Sequence, residues 1–245
     1  MPQVLFSAQN SAQLVNYCIS ILNDTTTVEA KFKALSFAVN DLLIHLVNNN
    51  DVFQTVFSQC QHTHLLAVCL ETLDQDEQYT EMIFDACQII AHNPNLDIRT
   101  LIRSLPASLV SYVIDTINDA NPDIILQCDL NMLLINNEEL NLQLVSYFEP
   151  DQVRQTEYIF HRASELKHVN LMAKLSEYNV NPNVIDVIKT WTALDYYLYD
   201  NHMDDELFRQ GLNYLTCCPI TDQTMIRIRS LSIDKQNIMK QMWQI

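Results

Sequence analysis

Glycine is almost missing from this sequence: Gly211 is the one glycine in 245 residues. Dinucleotide-binding turns, phosphate-cradling loops and nucleophile elbows need glycine where the backbone approaches a ligand or turns to positive φ. A chain with a single glycine lacks the means to build them, which sets aside nucleotide-fold enzymes, α/β-hydrolases and kinases. Tight β-hairpins draw on the same residue, so the scarcity also argues against a sheet-rich fold.

Basic residues are scarce as well. Lys and Arg total 14 against 30 Asp and Glu, a net charge of −16, and the deficit is uneven. Residues 1–98 carry 2 basic and 11 acidic residues, and residues 104–153 carry 8 acidic residues with no Lys or Arg. Residues 154–245 are close to balance, with 10 basic and 11 acidic. Phosphate contacts require clustered Lys and Arg, so no nucleic acid is expected on the first 150 residues. Either a solvated acidic face or a surface for a basic partner fits them.

Long apolar runs are missing too. No stretch reaches the about 18 uncharged apolar residues of a membrane span, and the opening MPQVLFSAQN has no basic segment followed by an apolar one, so no secretory signal is expected. The 7 cysteines (Cys18, Cys60, Cys69, Cys87, Cys128, Cys217 and Cys218) are odd in number and irregular in spacing. They read as reduced thiols packed among apolar residues, which favours an intracellular protein of cytoplasm, nucleus or viral factory.

What is present is helical periodicity. Leu14, Val15, Cys18, Ile19 and Leu22 recur at the spacing of one helix face, as do Phe32, Leu35, Val39, Leu42, Leu43 and Leu46. The pattern predicts helices over 8–22, 27–47, 51–59, 63–73, 77–91, 97–104, 106–118, 122–135, 138–148, 150–166, 169–178, 182–200, 204–216, 220–229 and 233–243. Start signals accompany it: Thr26 with Glu29 and Asp74 with Glu77 read as capping boxes. Pro94, Pro122, Pro150 and Pro182, each followed by Asn or Asp, read as first helical residues. Those prolines lie 28, 28 and 32 residues apart, and each interval holds about two helical patterns. Asparagine, with 22 occurrences, is available for the left-handed helix ends that glycine usually serves. The expected fold is therefore all-α, an array of short antiparallel helical hairpins forming either an α-solenoid or a compact helical bundle. It is expected as one domain over 1–245 with a soft division near 149–150. In layout it is similar to armadillo and HEAT-type repeat proteins, in architecture only. The consensus residues of tetratricopeptide and ankyrin units are missing.

Two clusters have ligand chemistry. FSQCQHTHLLAVC places Cys60, His62, His64 and Cys69 within ten positions. On one helix Cys60 and His64 share a face while His62 points away, and no second pair of the kind structural zinc takes occurs elsewhere. A turn followed by a helix capped at Thr63, with Cys69 in the core, is the expected reading. In HRASELKH, His161, Glu165 and His168 fall at i, i+4 and i+7, the spacing of one metal-binding helix. A di-iron centre needs a second such helix, which is missing. A salt-bridged face with Arg162 and Lys167 is expected, with these three residues kept as metal candidates. Cys217–Cys218 reads as a helix end before a helix started by Pro219, and Asp204, Asp205 and Glu206 as N-terminal capping charge.

Partner chemistry is richer. KTWTALDYYLYDNHM holds Trp191, Tyr196 and Tyr199, rigid aromatics of the kind that anchor interfaces. The C-terminal stretch carries Arg227 and Arg229 and ends in Ile238, Met239, Met242 and Trp243, a basic amphipathic helix that suits either a partner groove or the core. No catalytic motif and no cofactor signature is found. The expected function is a non-enzymatic scaffold or adaptor that binds a protein partner through a groove or an acidic face. A self-associating component of a larger assembly, viral ones included, is the alternative, and an all-α metal-dependent enzyme a third.

Overall fold

A computed structural model describes residues 53–54, 57–58, 63–74 and 76–244. The expected helices 8–22 and 27–47, most of 51–59, and the Thr26 capping box lie outside these, as do Cys60 and His62. The described residues contain α-helices and one 3₁₀ turn, with no strand. Contacts divide the chain into two compact units, Met1–Gln127 and Cys128–Ile245.

In the first unit, α1 (Thr63–Leu73) buries Leu65, Leu66, Cys69, Leu70 and Leu73. It packs on α2 (Thr80–Ile90) and α3 (Ile98–Ser104), and α2 packs on α4 (Ala107–Ala120), which also carries the one-turn α5 (Asp123–Leu126). Asparagine and threonine side chains tie the helix ends together. Asn93 Nδ2 donates to the Phe57 carbonyl at 3.1 Å, Asn121 Nδ2 to that of Ala91 at 2.7 Å, and Asp97 N to Thr63 Oγ1 at 3.0 Å.

In the second unit, α6 (Leu130–Leu133) and α7 (Glu138–Ser146) precede the short α8 (Pro150–Gln155), which Arg154 ties to the Tyr178 carbonyl at 3.0 Å. Then follow α9 (Ile159–Leu166), α10 (Val169–Glu177), α11 (Ala193–Leu198), α12 (Asp205–Asn213), α13 (Asp222–Ser230) and α14 (Ile233–Trp243). Contacts run in a regular order. α9 packs on α11 and α11 on α13; α10 packs on α12 and α12 on α14; α6 and α7 meet α9 and α10 respectively.

The single glycine works at one crossing in this unit. Tyr197, fully buried on α11, lays its ring across α12, stacked on Phe208 at 5.8 Å between centroids and 13° between planes. Its hydroxyl donates to the carbonyls of Leu207 and Phe208, each at 3.2 Å. A Cβ on Gly211 would overlap that ring, coming within 2.9 Å of Cε2 and closer still to Cζ and Oη. Gly211 therefore serves close approach rather than a turn. Left-handed backbone is taken instead by Tyr158, Lys167, Asn179, Thr190, Asp200 and Gln244.

Several expected boundaries shift for local reasons. The helix expected over 122–135 is interrupted because Asp129 accepts from Asn131 N at 3.0 Å and starts α6 afresh. That over 150–166 breaks at Thr156, which is extended, and Tyr158, at φ 60°. Of the four prolines, Pro150 is a first helical residue, with Gln152 closing a capping box on Glu149; Pro122 sits one place earlier. Pro94 and Pro182 lie in turns, and Asp97 starts α3 in place of the former. Asp76 rather than Asp74 caps the 3₁₀ turn Glu77–Tyr79, and Thr221 rather than Pro219 caps α13. Asp204 caps α12 as expected, accepting from Leu207 N at 2.9 Å.

Candidate functional site

The largest departure from helical expectation is the segment 182–192, expected as helix and folded as an ordered loop. Val184, Ile185, Val187 and Ile188 are β-branched, which costs side-chain freedom in a helix, and Asp186 supplies a competing arrangement. Its Oδ1 accepts from Ile188 N at 2.8 Å and Lys189 N at 3.1 Å, while Asp186 N donates to the Trp191 carbonyl at 2.9 Å. Thr190, at φ 58°, closes the turn by donating to the Asp186 carbonyl at 2.7 Å. The Tyr196 hydroxyl donates to Asp186 Oδ2 and holds the loop to α11. That bond is the main reason the Asp186 carboxyl sits below its usual range, while burial, then the neighbouring carboxylate, pushes the Tyr196 phenol up.

So braced, the loop presents apolar side chains to water: Ile185 is 53% exposed, Val187 78% and Ile188 90%. At the end of the loop Trp191 meets Tyr196 at 5.0 Å and Tyr199 at 5.4 Å, the latter 59% exposed, and the three rings form an aromatic platform. Cations cover the aromatic faces. Lys189 Nζ stands 4.8 Å from the Tyr196 centroid and 5.0 Å from that of Trp191, and the Arg227 guanidinium is 3.8 Å from Trp191. Such contacts contribute roughly 0.5–2 kcal/mol each according to exposure.

Behind the platform sits Asp195, fully buried on α11. It closes a capping box with Thr192 (3.0 Å to Thr192 N), accepts from Thr224 Oγ1 of α13 at 2.8 Å, and faces Arg227 Nη1 at 3.7 Å. Lys167, at the left-handed end of α9, donates to the carbonyls of Tyr196 at 2.7 Å and Tyr199 at 2.9 Å. Burial lowers its ammonium pKa to about 8. Sequence reading did not name Asp195, and it placed Lys167 on a salt-bridged face with Arg162 rather than on the carbonyls of Tyr196 and Tyr199. The Thr192-x-x-Asp195 capping spacing was the signal for the first.

Four expected partner-contact residues, Trp191, Tyr196, Tyr199 and Arg227, thus come together, and His161 joins them. Its ring meets Tyr158 edge-on at 5.4 Å and Tyr196 at 5.5 Å. The other two metal candidates point elsewhere: Glu165 pairs with Arg162 at the surface at 2.6 Å, and His168 Nδ1 meets Asn141 Nδ2 at 3.0 Å in the core. Among the described residues no group of three or more His, Cys, Asp or Glu is placed to hold a metal. His64 is exposed on α1 beside Ser104 Oγ at 2.8 Å, rather than in the expected turn, and Cys69 is core. Arg229 is exposed away from the stacked rings, while Trp243 is half-buried, its indole donating to the Cys218 carbonyl at 3.4 Å. Cys218 is buried in the turn after α12 and its thiol pKa is pushed up to about 12 by burial.

His161 and His168 set a pH dependence. Burial holds both imidazoles below the ordinary 6.5, so as pH falls through that value protons bind the unfolded chain first. Stability is therefore expected to drop as pH falls from neutrality towards 5, and to be regained on return. Neither His161 ring nitrogen makes a hydrogen bond of good geometry, although the backbone of Val184 and Trp191 lies close enough to oppose part of the effect of burial. His161→Phe should thus leave stability at pH 7.5 unchanged or raised and flatten the acid-side loss. Urea unfolding across that pH range checks both.

No helix among the described residues is long and apolar enough to cross a membrane. Compared with protein-family models, with curated proteins and with solved structures, the chain matches none.

Proposed function

We propose that this protein is a non-enzymatic, intracellular helical scaffold that binds a protein partner through the Ile185–Ile188 loop and the Trp191–Tyr199 aromatics beside it. The observation that carries the reading is the bracing of that loop: apolar side chains up to 90% exposed are held by the Asp186 hydrogen bonds rather than left to collapse. Exposed apolar groups on a rigid frame lose little conformational freedom on docking, and aromatic and arginine neighbours are the residue types that dominate interfaces. The alternating packing of the second unit, α9–α11–α13 and α10–α12–α14, supports an α-solenoid arrangement of stacked helical pairs, a frame suited to displaying such loops.

Native mass, by light scattering with mass spectrometry after gentle isolation, tests this. A stoichiometric second protein is expected, and Ile188→Asp should release it with a loss of at least about 30-fold in affinity, roughly 2 kcal/mol. Because Ile188 touches little of its own fold, thermal stability should stay within about 0.5 kcal/mol. A variant that keeps the partner at wild-type affinity removes this surface from consideration.

A further inference from the structure

His161 has the spacing of a metal ligand but lies beneath the 182–192 loop. Its side chain, on α9, is 4% exposed, and both ends of the loop approach it: the backbone of Val184 and that of Trp191 lie close to the ring. The ring also meets Tyr196 edge-on, and the Tyr196 hydroxyl holds the loop through Asp186. Within the second unit few charges face it. The loop brings Asp186 and α11 brings Asp195, and both carboxylates favour an imidazolium. Tyr158 and Tyr196 add phenols. Arg162 with Glu165 on α9, and Lys174 with Glu177 on α10, pair with each other, and α6 has no titratable side chain. Lys189 and Arg227 lie over the Tyr196 and Trp191 rings, and Lys167 is bound to carbonyls. Burial outweighs the two carboxylates and holds the ring neutral at neutral pH.

A proton on this ring therefore needs water, and the loop is the cover that moves at least cost. Ile185, Val187 and Ile188 bury little of themselves, whereas α9 and α11 pack on each other and carry buried side chains. Segments with few buried apolar contacts open first. We propose that the 182–192 loop is an acid-released latch: a proton taken up by His161 lifts the loop and disperses the Ile185–Ile188 surface while the helices beneath stay folded. Its use as a control on binding rests on the reading of that surface as the partner site; the latch itself does not. The sign follows from linkage. Covered, the imidazole binds its proton below 6.5; uncovered, it returns to that ordinary value, so the open loop is protonated first as pH falls. One such group multiplies the opening equilibrium by at most about thirtyfold between pH 7.5 and 5.0.

Hydrogen exchange read by mass spectrometry on the full chain tests the latch without a partner. The Ile188 and Lys189 amides are held by the Asp186 carboxylate and the Thr190 amide by the Asp186 carbonyl. After correction for the intrinsic effect of pH on exchange, protection of the 182–192 peptide is expected to fall from about tenfold at pH 7.5 to near unity at pH 5.0, with α14 still protected at both. His161→Phe should keep the pH 7.5 protection at pH 5.0, as should His161→Gln if the ring is not tolerated. His168→Gln, which removes the other buried imidazole, should keep the wild-type loss. Loop protection above about thirtyfold at pH 5.0, or the same loss in both His161 variants, would overturn the proposal. Partner affinity should weaken two- to fourfold over the same range in wild type and not in His161→Phe. A partner that stays bound at pH 5.0 to a chain whose latch has opened counts against the loop as the partner site and not against the latch.

Discussion

Gly211→Ala is expected to destabilise the protein by about 3 kcal/mol, at the upper end of the range for overpacking a rigid core. In an open helix the same change would stabilise by roughly 1 kcal/mol, because alanine loses less backbone entropy. The sign reverses here because the new methyl would enter the Tyr197 ring, which is fully buried and held by two carbonyls and the stacked Phe208. Relief requires α11 and α12 to separate, and α11 packs on both α9 and α13. Urea unfolding of wild type, Gly211→Ala, Tyr197→Leu and the double variant forms a cycle. The double variant should be less damaged than the sum by more than about 1 kcal/mol. Additive losses would mean that the ring and the glycine do not meet.

Asp195→Ala should cost as much or more, about 3–5 kcal/mol, the range for removing one partner of a buried ion pair. Three donors lose their acceptor together, the Thr192 N–H and hydroxyl at the start of α11 and the Thr224 hydroxyl of α13, and the buried Arg227 guanidinium, 3.7 Å away, loses its counter-charge while keeping the Gln223 carbonyl. Arg227 also lies against Trp191, so the loss should reach the platform. Asp195→Asn retains one carbonyl oxygen and should cost less than half as much. Trp191→Phe with Asp195→Ala locates the damage: with Trp191 gone, the remaining indole, Trp243, should report an unchanged environment in the native state while global stability still falls. Equal stability of wild type and Asp195→Ala would show that Thr224 and Arg227 find solvent, and that the platform needs no carboxylate behind it.

The all-α character was legible because spacing alone carries it, and α1 and α14 fall at the expected 63–73 and 233–243. The helix-start signals were legible in kind but not in place. Asp97 and Thr221 cap helices that Pro94 and Pro219 were expected to start, and Asp129 restarts the one begun at Pro122, because a side-chain acceptor satisfies free N–H groups that a proline ring cannot. The candidate site was legible in its residues and hidden in its backbone. Trp191, Tyr196, Tyr199 and Arg227 stand out by type, yet Val184, Ile185 and Ile188 fall at a spacing that also suits a helix face. What decided against the helix was a set of partners spread over ten residues: Asp186 with its own loop and with Tyr196. Periodicity holds no record of such long-reach bonds. His161 and His168 were placed on one face by helix spacing, but α9 ends at Leu166, and the left-handed Lys167 turns the chain between them.

The order of packing in the second unit has a consequence for how it is made. From α9 onward each helix closes on one only two elements away, so every loop that must be closed is short. Chains dominated by such near contacts pay little closure entropy and fold fast. Synthesis from the N-terminus can therefore consolidate each helix as soon as the second one after it emerges, with no segment waiting for the far end. The exception is the carboxylate of Asp195, which stays without its Thr224 and Arg227 partners until α13 has been made. A ribosome-stalled chain ending before residue 222 should therefore resist protease through α9 and α10 while remaining open to cleavage at 182–192.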